Sequence, residues 1–371
     1  MFMLNRIYKY PIGVEVGEEN VFGAQLKQTK QGLAVGGLFQ GKVEGKPEEI
    51  TEQGASLLPA LQAISKHKRL VGKRVVAIFR PQDTLSFPIR FEVGKTETPE
   101  HAILRQSREH LPFPLAEAVI DYPSIAPLPS ASSNSYRAFV IAVHRDLVQR
   151  YLHLFKRAGL SLEAVDFGLA ALLRLHGYLF PPTEDPVILC HLGYDHSLLS
   201  VVTKDSILAH LNVSWGMAVL LRKIQAGLEL FNDDEKAKIL LKKYGLLYED
   251  REICPGEMDS AHSSAVDDSC RAIYQIITPQ VEKWIFDFHK ITGYVRSEDH
   301  DTTFESIYLY GYAPLIFHLD RYLERRLNIP TKVVNPLSQV TLSDEGLLPD
   351  ISEGGPFGLA LGLGMRKVSW L

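Results

Sequence analysis

The chain of 371 residues carries 40 Lys and Arg against 44 Asp and Glu, a formal charge of −4 at pH 7, with 46% hydrophobic and 23% charged residues. These globular proportions exclude disordered and fibrous architectures, and the near-neutral balance leaves no footprint of a phosphate-backbone binder, so no nucleic acid partner is expected. At roughly 100–200 residues per domain, the length fits two or three domains.

In chain order, Ile12 to Gly17, Val21 to Leu26 and Gly32 to Phe39 read as three strands closed by Gly-containing turns, a meander. Ala55 to Lys66 has helical spacing, and Val75 to Phe79 is a continuous buried-strand run. Leu85 to Phe91 is a further strand. Thr98-Pro99 caps a helix through about His110. Val119 to Tyr122, a loop from Pro123 to Ser135, and the strand Arg137 to Val143 complete a compact α+β piece. Asp146, read as an N-cap, opens an amphipathic helix to Ala158, with Gly159 at C′. The strand Leu162 to Phe167, a helix Leu169 to His176 and a Pro-rich link at Pro181-Pro182 follow.

A second block repeats the first. Val187 to Leu192, Leu198 to Thr203 and Ser206 to Val213 read as three strands, followed by a helix from Met217 to about Phe231. This β-β-β-helix recurrence implies two domains of like topology. Glu249 to Asp268 is polar and acidic, hence a loop. Arg271 to Gly293 is a long core helix, Ile307 to Tyr310 a strand, Leu315 to Leu327 a helix, and Lys332 to Val334 a strand. Gly354 to Arg366 closes the pattern as a small-residue helix. No apolar run reaches the roughly 18–20 residues of a membrane span, and Met1 to Tyr10 lacks a signal-peptide pattern. Three widely spaced cysteines (Cys190, Cys254, Cys270) fit a reducing compartment. A cytoplasmic location is therefore expected.

Four glycine-bearing strand–turn sites stand out: Gly13-Val-Glu-Val-Gly17, Cys190 to Ser197, Tyr310-Gly-Tyr-Ala-Pro314, and Phe357 to Gly364. In this order they resemble the phosphate 1, phosphate 2, adenosine and second connecting motifs of the actin-like ATPase superfamily. Within it the chain resembles the PilM branch, cytoplasmic type IV pilus assembly proteins related to FtsA and to the cytoplasmic domain of type II secretion protein L. His110-Leu-Pro-Phe-Pro-Leu through Tyr122, Val140 to Asp146, Ala158 to Ala170 and Gly355 to Leu363 carry that resemblance further.

The resemblance implies an α/β fold of two actin-like (ribonuclease H-like) domains facing a cleft, with an inserted α+β 1C-type subdomain. The expected ranges are 1–81 and 146–184 for the first domain, 82–145 for the insertion, and 185–371 for the second, with a helical subdomain around 217–303. It also implies a scaffold of the inner-membrane platform of a pilus or secretion machine. Such a scaffold would bind the short cytoplasmic tail of a PilN-like membrane protein, meet other platform proteins, and reach the membrane through its partners. Val14, Val16, Phe22, Leu85, Phe87, Phe91, Leu111 and Phe113 are the partner-binding candidates.

Gly13, Glu15, Gly17, Gly193, Ser197, Gly216 and Gly311 are the nucleotide-site candidates, for ATP with Mg²⁺ if binding persists. Departures from the family pattern argue against it. Where the pattern has an aspartate, a hydroxyl residue and a lysine, this chain has Glu15, Glu18 and Phe22. A like-charge pair about 4 Å apart at an effective dielectric near 20 opposes binding by about 4 kcal/mol, roughly a thousandfold. His191 stands where the second phosphate motif has its aspartate, and Tyr312 follows the adenosine glycine. No resident cofactor and no catalytic residue are therefore expected, and an ATP-binding protein with slow ATPase activity is the alternative.

Other constellations carry less. His191, Asp195 and His196 are metal-ligand types on one turn, with no remote cluster to complete a shell, so a hydrogen-bonded turn is the simpler reading. Ser214 and Ser197 lack a nucleophile elbow. Lys66-His-Lys-Arg69 with Lys73-Arg74 reads as a solvated helix end ahead of a lipid-headgroup contact. An FtsA-like membrane anchor would need more than the short, Gly-rich Gly362 to Leu371.

Overall fold

The computed structural model describes residues 10–30, 32–44, 56–128, 134–230, 233–247, 264–343 and 354–367. Strands β1 (Ile12–Val16), β2 (Asn20–Thr29) and β3 (Gly32–Lys42) form the expected antiparallel meander. Helix α1 (Leu58–Lys66) leads to β4 (Arg74–Ile78), which lies parallel to β1. An excursion follows through β5 (Leu85–Glu92), α2 (Pro99–Ser107), β6 (Ala118–Pro127) and β7 (Ser135–His144), a three-stranded sheet in the order β5-β7-β6. The chain returns through α3 (Arg145–Arg157), β8 (Ser161–Asp166), parallel to β4, and α4 (Gly168–Leu179).

The second half repeats the plan. Strands β9 (Val187–Leu192), β10 (Ser197–Val202) and β11 (Ile207–Val213) form a meander, followed by α5 (Met217–Gly227), α6 (Asp234–Lys243) and α7 (Ser264–Glu298). Then come β12 (Ile307–Gly311), α8 (Leu319–Leu327), β13 (Thr331–Val333), β14 (Thr341–Leu342) and α9 (Gly358–Gly364). The sheet orders are β14-β3-β2-β1-β4-β8 and β11-β10-β9-β12-β13, so both cores share a meander flanked by parallel strands. The recurrence read from the sequence is therefore a recurrence of topology.

Alternation along β1 divides the first core. Ile12, Val14 and Val16 join Val75 and Ala77 beneath α1 and α3, against Leu61, Ile64 and Phe155. Phe22, Ala24, Val76 and Ile78 face the other way, toward Leu169 and Leu172 of α4 and Leu359 to Leu363 of α9. In the second core Trp284 of α7 stacks on Trp215, with ring centroids 4.5 Å apart and planes 11° from parallel. No described helix is long and apolar enough to cross a membrane.

Several elements depart from expectation for identifiable reasons. The expected loop from Pro123 is strand as far as Pro127; β6 is an edge strand with a bulge between Asp121 and Ser124, where a missing amide is tolerated. The cap of α3 is His144, whose Nδ1 accepts from Asp146 N–H at 3.2 Å, so Asp146 lies inside the first turn. Helix α7 already runs from Ser264, within the expected loop; Cys254 and the rest of that expected segment before residue 264 lie outside the described residues, as do residues 1–9 and 368–371. Strand β14 and helix α9, expected within the second half, join the first sheet: β14 pairs with β3, and α9 lies across β1, β2 and α4.

Candidate functional site

Two hairpin turns confront each other where the halves meet. The β1–β2 turn carries Gly17 to Glu19 and closes with Gly17 N–H donating to the Asn20 carbonyl at 3.0 Å. The β9–β10 turn carries Gly193 to His196 and closes with Gly193 N–H donating to the His196 carbonyl at 2.9 Å. With the Arg80–Thr84 bend after β4, they enclose a cavity of about 90 Å³. Glu15, Glu18, Arg80, His191, Asp195 and Ser197 are among its polar lining residues.

Acids dominate the electrostatics. Glu15 alternates out of β1 toward the cleft; its Oε2 is buried without a hydrogen-bond partner among the described residues, and burial pushes its carboxyl up to about 8. Asp195 is also raised, first by burial, then by a hydrogen bond to Glu18 and by the Glu18 charge, with Arg222 opposing. Asp195 and Glu18 thus bring two carboxyl groups to face each other across the cleft. Arg80 is the only Lys or Arg among the described lining residues, and its guanidinium is committed to both carboxylate oxygens of Asp83, at 2.7 and 3.0 Å. The buried His191 ring is pushed down to about 4 by desolvation, so it is neutral at physiological pH, and its Nε2 has no partner among the described residues.

The donors of the second turn are engaged. Ser197 is buried and its Oγ donates to the Trp215 carbonyl at 2.6 Å. The first amides of α5, the place where an anion would bind, donate instead to the turn: Met217 N–H to the Gly193 carbonyl at 3.0 Å and Ala218 N–H to that of Tyr194 at 2.8 Å.

Of the seven nucleotide-site candidates, Glu15, Gly17, Gly193 and Ser197 meet at the cavity. The other three lie behind it, a correction to the sequence reading. A Cβ on Gly13 would fall 2.0 Å from the Ala360 carbonyl oxygen, so this glycine exists to let α9 rest on β1. Gly216 sits against the Tyr194 backbone at the head of α5. Gly311, with φ +73°, ends β12 where a Cβ would lie 2.2 Å from the Leu192 carbonyl oxygen. Beyond it Tyr312 is 7% exposed and edge-on to Tyr194, centroids 6.1 Å apart. His191, Asp195 and His196 form no metal-holding group of three among the described residues.

The partner-binding candidates also divide. Val14, Val16, Phe22 and Phe91 are core residues and present nothing to a partner: β1 is central in its sheet with both faces covered, Phe22 packs on Phe357, and Phe91 lies under α2. Leu85, Phe87, Leu111 and Phe113 remain half-buried. Leu85 and Phe87 share the α2 side of β5. Phe87 stacks on His110 at 4.6 Å, and Phe113 meets His144 edge-on at 5.0 Å.

Arg80, Gln82, Tyr194 and Asn212 also line the cleft and were missed in the sequence. Gln82 donates to Glu18. The available signal was the polar Arg80-Pro81-Gln82-Asp83 turn directly after a buried strand.

Comparison with known proteins places this geometry in a lineage. A solved PilM-PilN type IV pilus biogenesis complex is similar over 96% of this chain and 98% of its own, at 20% identity and a TM-score of 0.73. The ethanolamine utilization protein EutJ from Carboxydothermus hydrogenoformans is similar over 96% of this chain and 89% of its own, at 14% identity and a TM-score of 0.51. These likenesses give the actin-like ATPase fold of two α/β domains about a cleft. The family model described as type IV pilus assembly protein PilM matches residues 13–258, and on that match the chain belongs to the PilM family.

Proposed function

We propose that this protein is a non-hydrolysing scaffold of a type IV pilus inner-membrane platform, cytoplasmic and held at the membrane by the tail of a PilN-like protein. The observation that carries the non-hydrolysing part is the meeting of Glu18 and Asp195 across the cleft, where a triphosphate would need donors. The residues do not fit Mg·ATP: the cavity of about 90 Å³ falls below the roughly 300–1,000 Å³ of ligand sites. Its arginine is already paired, Ser197 donates elsewhere, and the α5 amides are taken. No step is routed through a nucleotide.

The partner part is supported by family membership and by the similar PilM-PilN complex. Leu85, Phe87, Leu111 and Phe113 offer an apolar strip on the α2 side of the three-stranded sheet, suited to a short apolar tail. Two calorimetric titrations of the full chain test the reading. Mg·ATP is expected to show no saturable binding below about 1 mM; tighter binding that Gly193→Glu abolishes ends the non-hydrolysing reading. A synthetic PilN-like tail is expected to bind without nucleotide, and Phe113→Ala to weaken it about tenfold. A tail that binds equally well to this variant removes the strip from the interface.

A further inference from the structure

A second, larger recess lies on the opposite side of the three-stranded sheet. It has a volume of about 810 Å³, within the roughly 300–1,000 Å³ typical of ligand sites. Its origin is the alternation of side chains along β5 and β7. Ile89, Phe91, Ala138 and Val140 are consumed beneath α2. Their neighbours Pro88, Arg90, Arg137 and Phe139 point the other way and line the recess. The facing wall is Ser206 to Leu208 at the start of β11 and Tyr294, Val295 and Glu298 at the end of α7.

Polar pins cross this recess without filling it. Arg90 pairs with Glu298, and Arg137 donates through Nη2 to Ser206 Oγ at 3.1 Å. The Nε of Arg137 is buried and has no hydrogen-bond partner among the described residues. No carboxylate among the described residues forms an ion pair with Arg137. A buried guanidinium donor left in this state is costly unless something else pairs with it. At the α7 end the lining turns acidic, with Asp299 and Asp301 beside Glu298. The two strands that border the recess, β5 and β11, are each outermost in their sheets, so among the described residues both carry main-chain groups that no neighbouring strand engages.

We propose that this recess docks an extended peptide segment of a partner protein, with an acidic side chain on Arg137 and a basic end toward Asp299 and Asp301. Charge complementarity sets the polarity of the segment, and the outermost strands favour an extended backbone. The site is separate from the tail-binding strip: Leu85 and Phe87 lie on the α2 side of β5, and the recess on the other. One sheet can therefore hold two segments at once, one per face. The Ser206 pin ties the docked carboxylate to the second half of the molecule, so occupancy bears on how the two halves are joined.

The test uses the full chain and a fluorescein-labelled hexapeptide, Val-Asp-Val-Thr-Lys-Lys, which spans about 20 Å when extended. Fluorescence anisotropy is expected to give a Kd of about 10–100 μM at low salt, and Arg137→Met to weaken binding at least about tenfold. The Asn-for-Asp version of the peptide is expected to lose affinity equally. Phe113→Ala, which reports on the tail strip, is expected to leave this binding unchanged, so failure here and failure of the proposed tail site are read separately. Arg137→Met is further expected to raise the thermal midpoint by about 2–4 °C, because it removes an unpaired donor. Absence of saturable binding below about 1 mM, undiminished binding to Arg137→Met, or a lowered midpoint for that variant overturns the proposal.

Discussion

Glu15→Gln is expected to leave stability almost unchanged near pH 5 and to raise it strongly near pH 8. Glu15 lies on the central strand of the first sheet, and burial alone lifts its carboxyl from an ordinary 4.5 to about 8. Between those values the unfolded chain has released a proton that the folded chain keeps, so the folded state loses ground as pH rises. The stabilisation is complete below about pH 4.5 and disappears as the pH climbs through 8. At about 1.4 kcal/mol per pH unit of separation, the wild type forfeits about 4 kcal/mol by pH 8. Glutamine keeps the shape and never ionises. Denaturant unfolding at about pH 5 and about pH 8, with unchanged m-values, reads the gap directly. An equal gap at both pH values contradicts a protonated Glu15.

Gly13→Ala is expected to destabilise by at least about 3 kcal/mol, whereas Gly177→Ala stabilises by about 0.5–1 kcal/mol. The contrast rests on surroundings. A methyl at Gly13 meets the Ala360 carbonyl oxygen at 2.0 Å and the Gly364 nitrogen at 2.4 Å. Both are backbone atoms, so no rotamer change relieves the clash and α9 must lift off β1. A methyl at Gly177, inside α4, meets nothing within 4 Å. Thermal unfolding of the two variants gives shifts of opposite sign; a mild effect at position 13 would assign this glycine to the cleft after all.

The strand–turn–helix plan was readable because it is local. Glycines mark the turns, apolar alternation marks the strands, and both recur in the second half with the same five-strand order, to which the first sheet adds β14. What each glycine is for was not readable. Gly13 and Gly17 belong to one motif, yet Gly13 serves the packing of α9 from the far end of the chain and Gly17 the cleft. The same distance hid the meeting of Glu18 with Asp195: Glu18 was visible as a departure from the family pattern, Asp195 only as a metal-ligand type on its own turn. The error at Val14 and Val16 was one of placement. An alternating strand looks half-exposed until its sheet is known to have a helix layer on both faces, as β1 does. Pro123 stopped the reading of β6 because an edge strand can hold a proline, and edge status is a property of the whole sheet.

The return of α9 to β1 has a consequence for biosynthesis. The first sheet is nearly all made early, yet the segment that seals one of its faces is made well over a hundred residues after α4. At about 5–20 residues per second the apolar surface around Ala24, Val76 and Leu172 waits roughly 10–40 seconds for Leu359 to Leu363. The nascent amino-terminal half thus exposes this apolar face until α9 is made, and the closing of the first core is gated by the arrival of that helix.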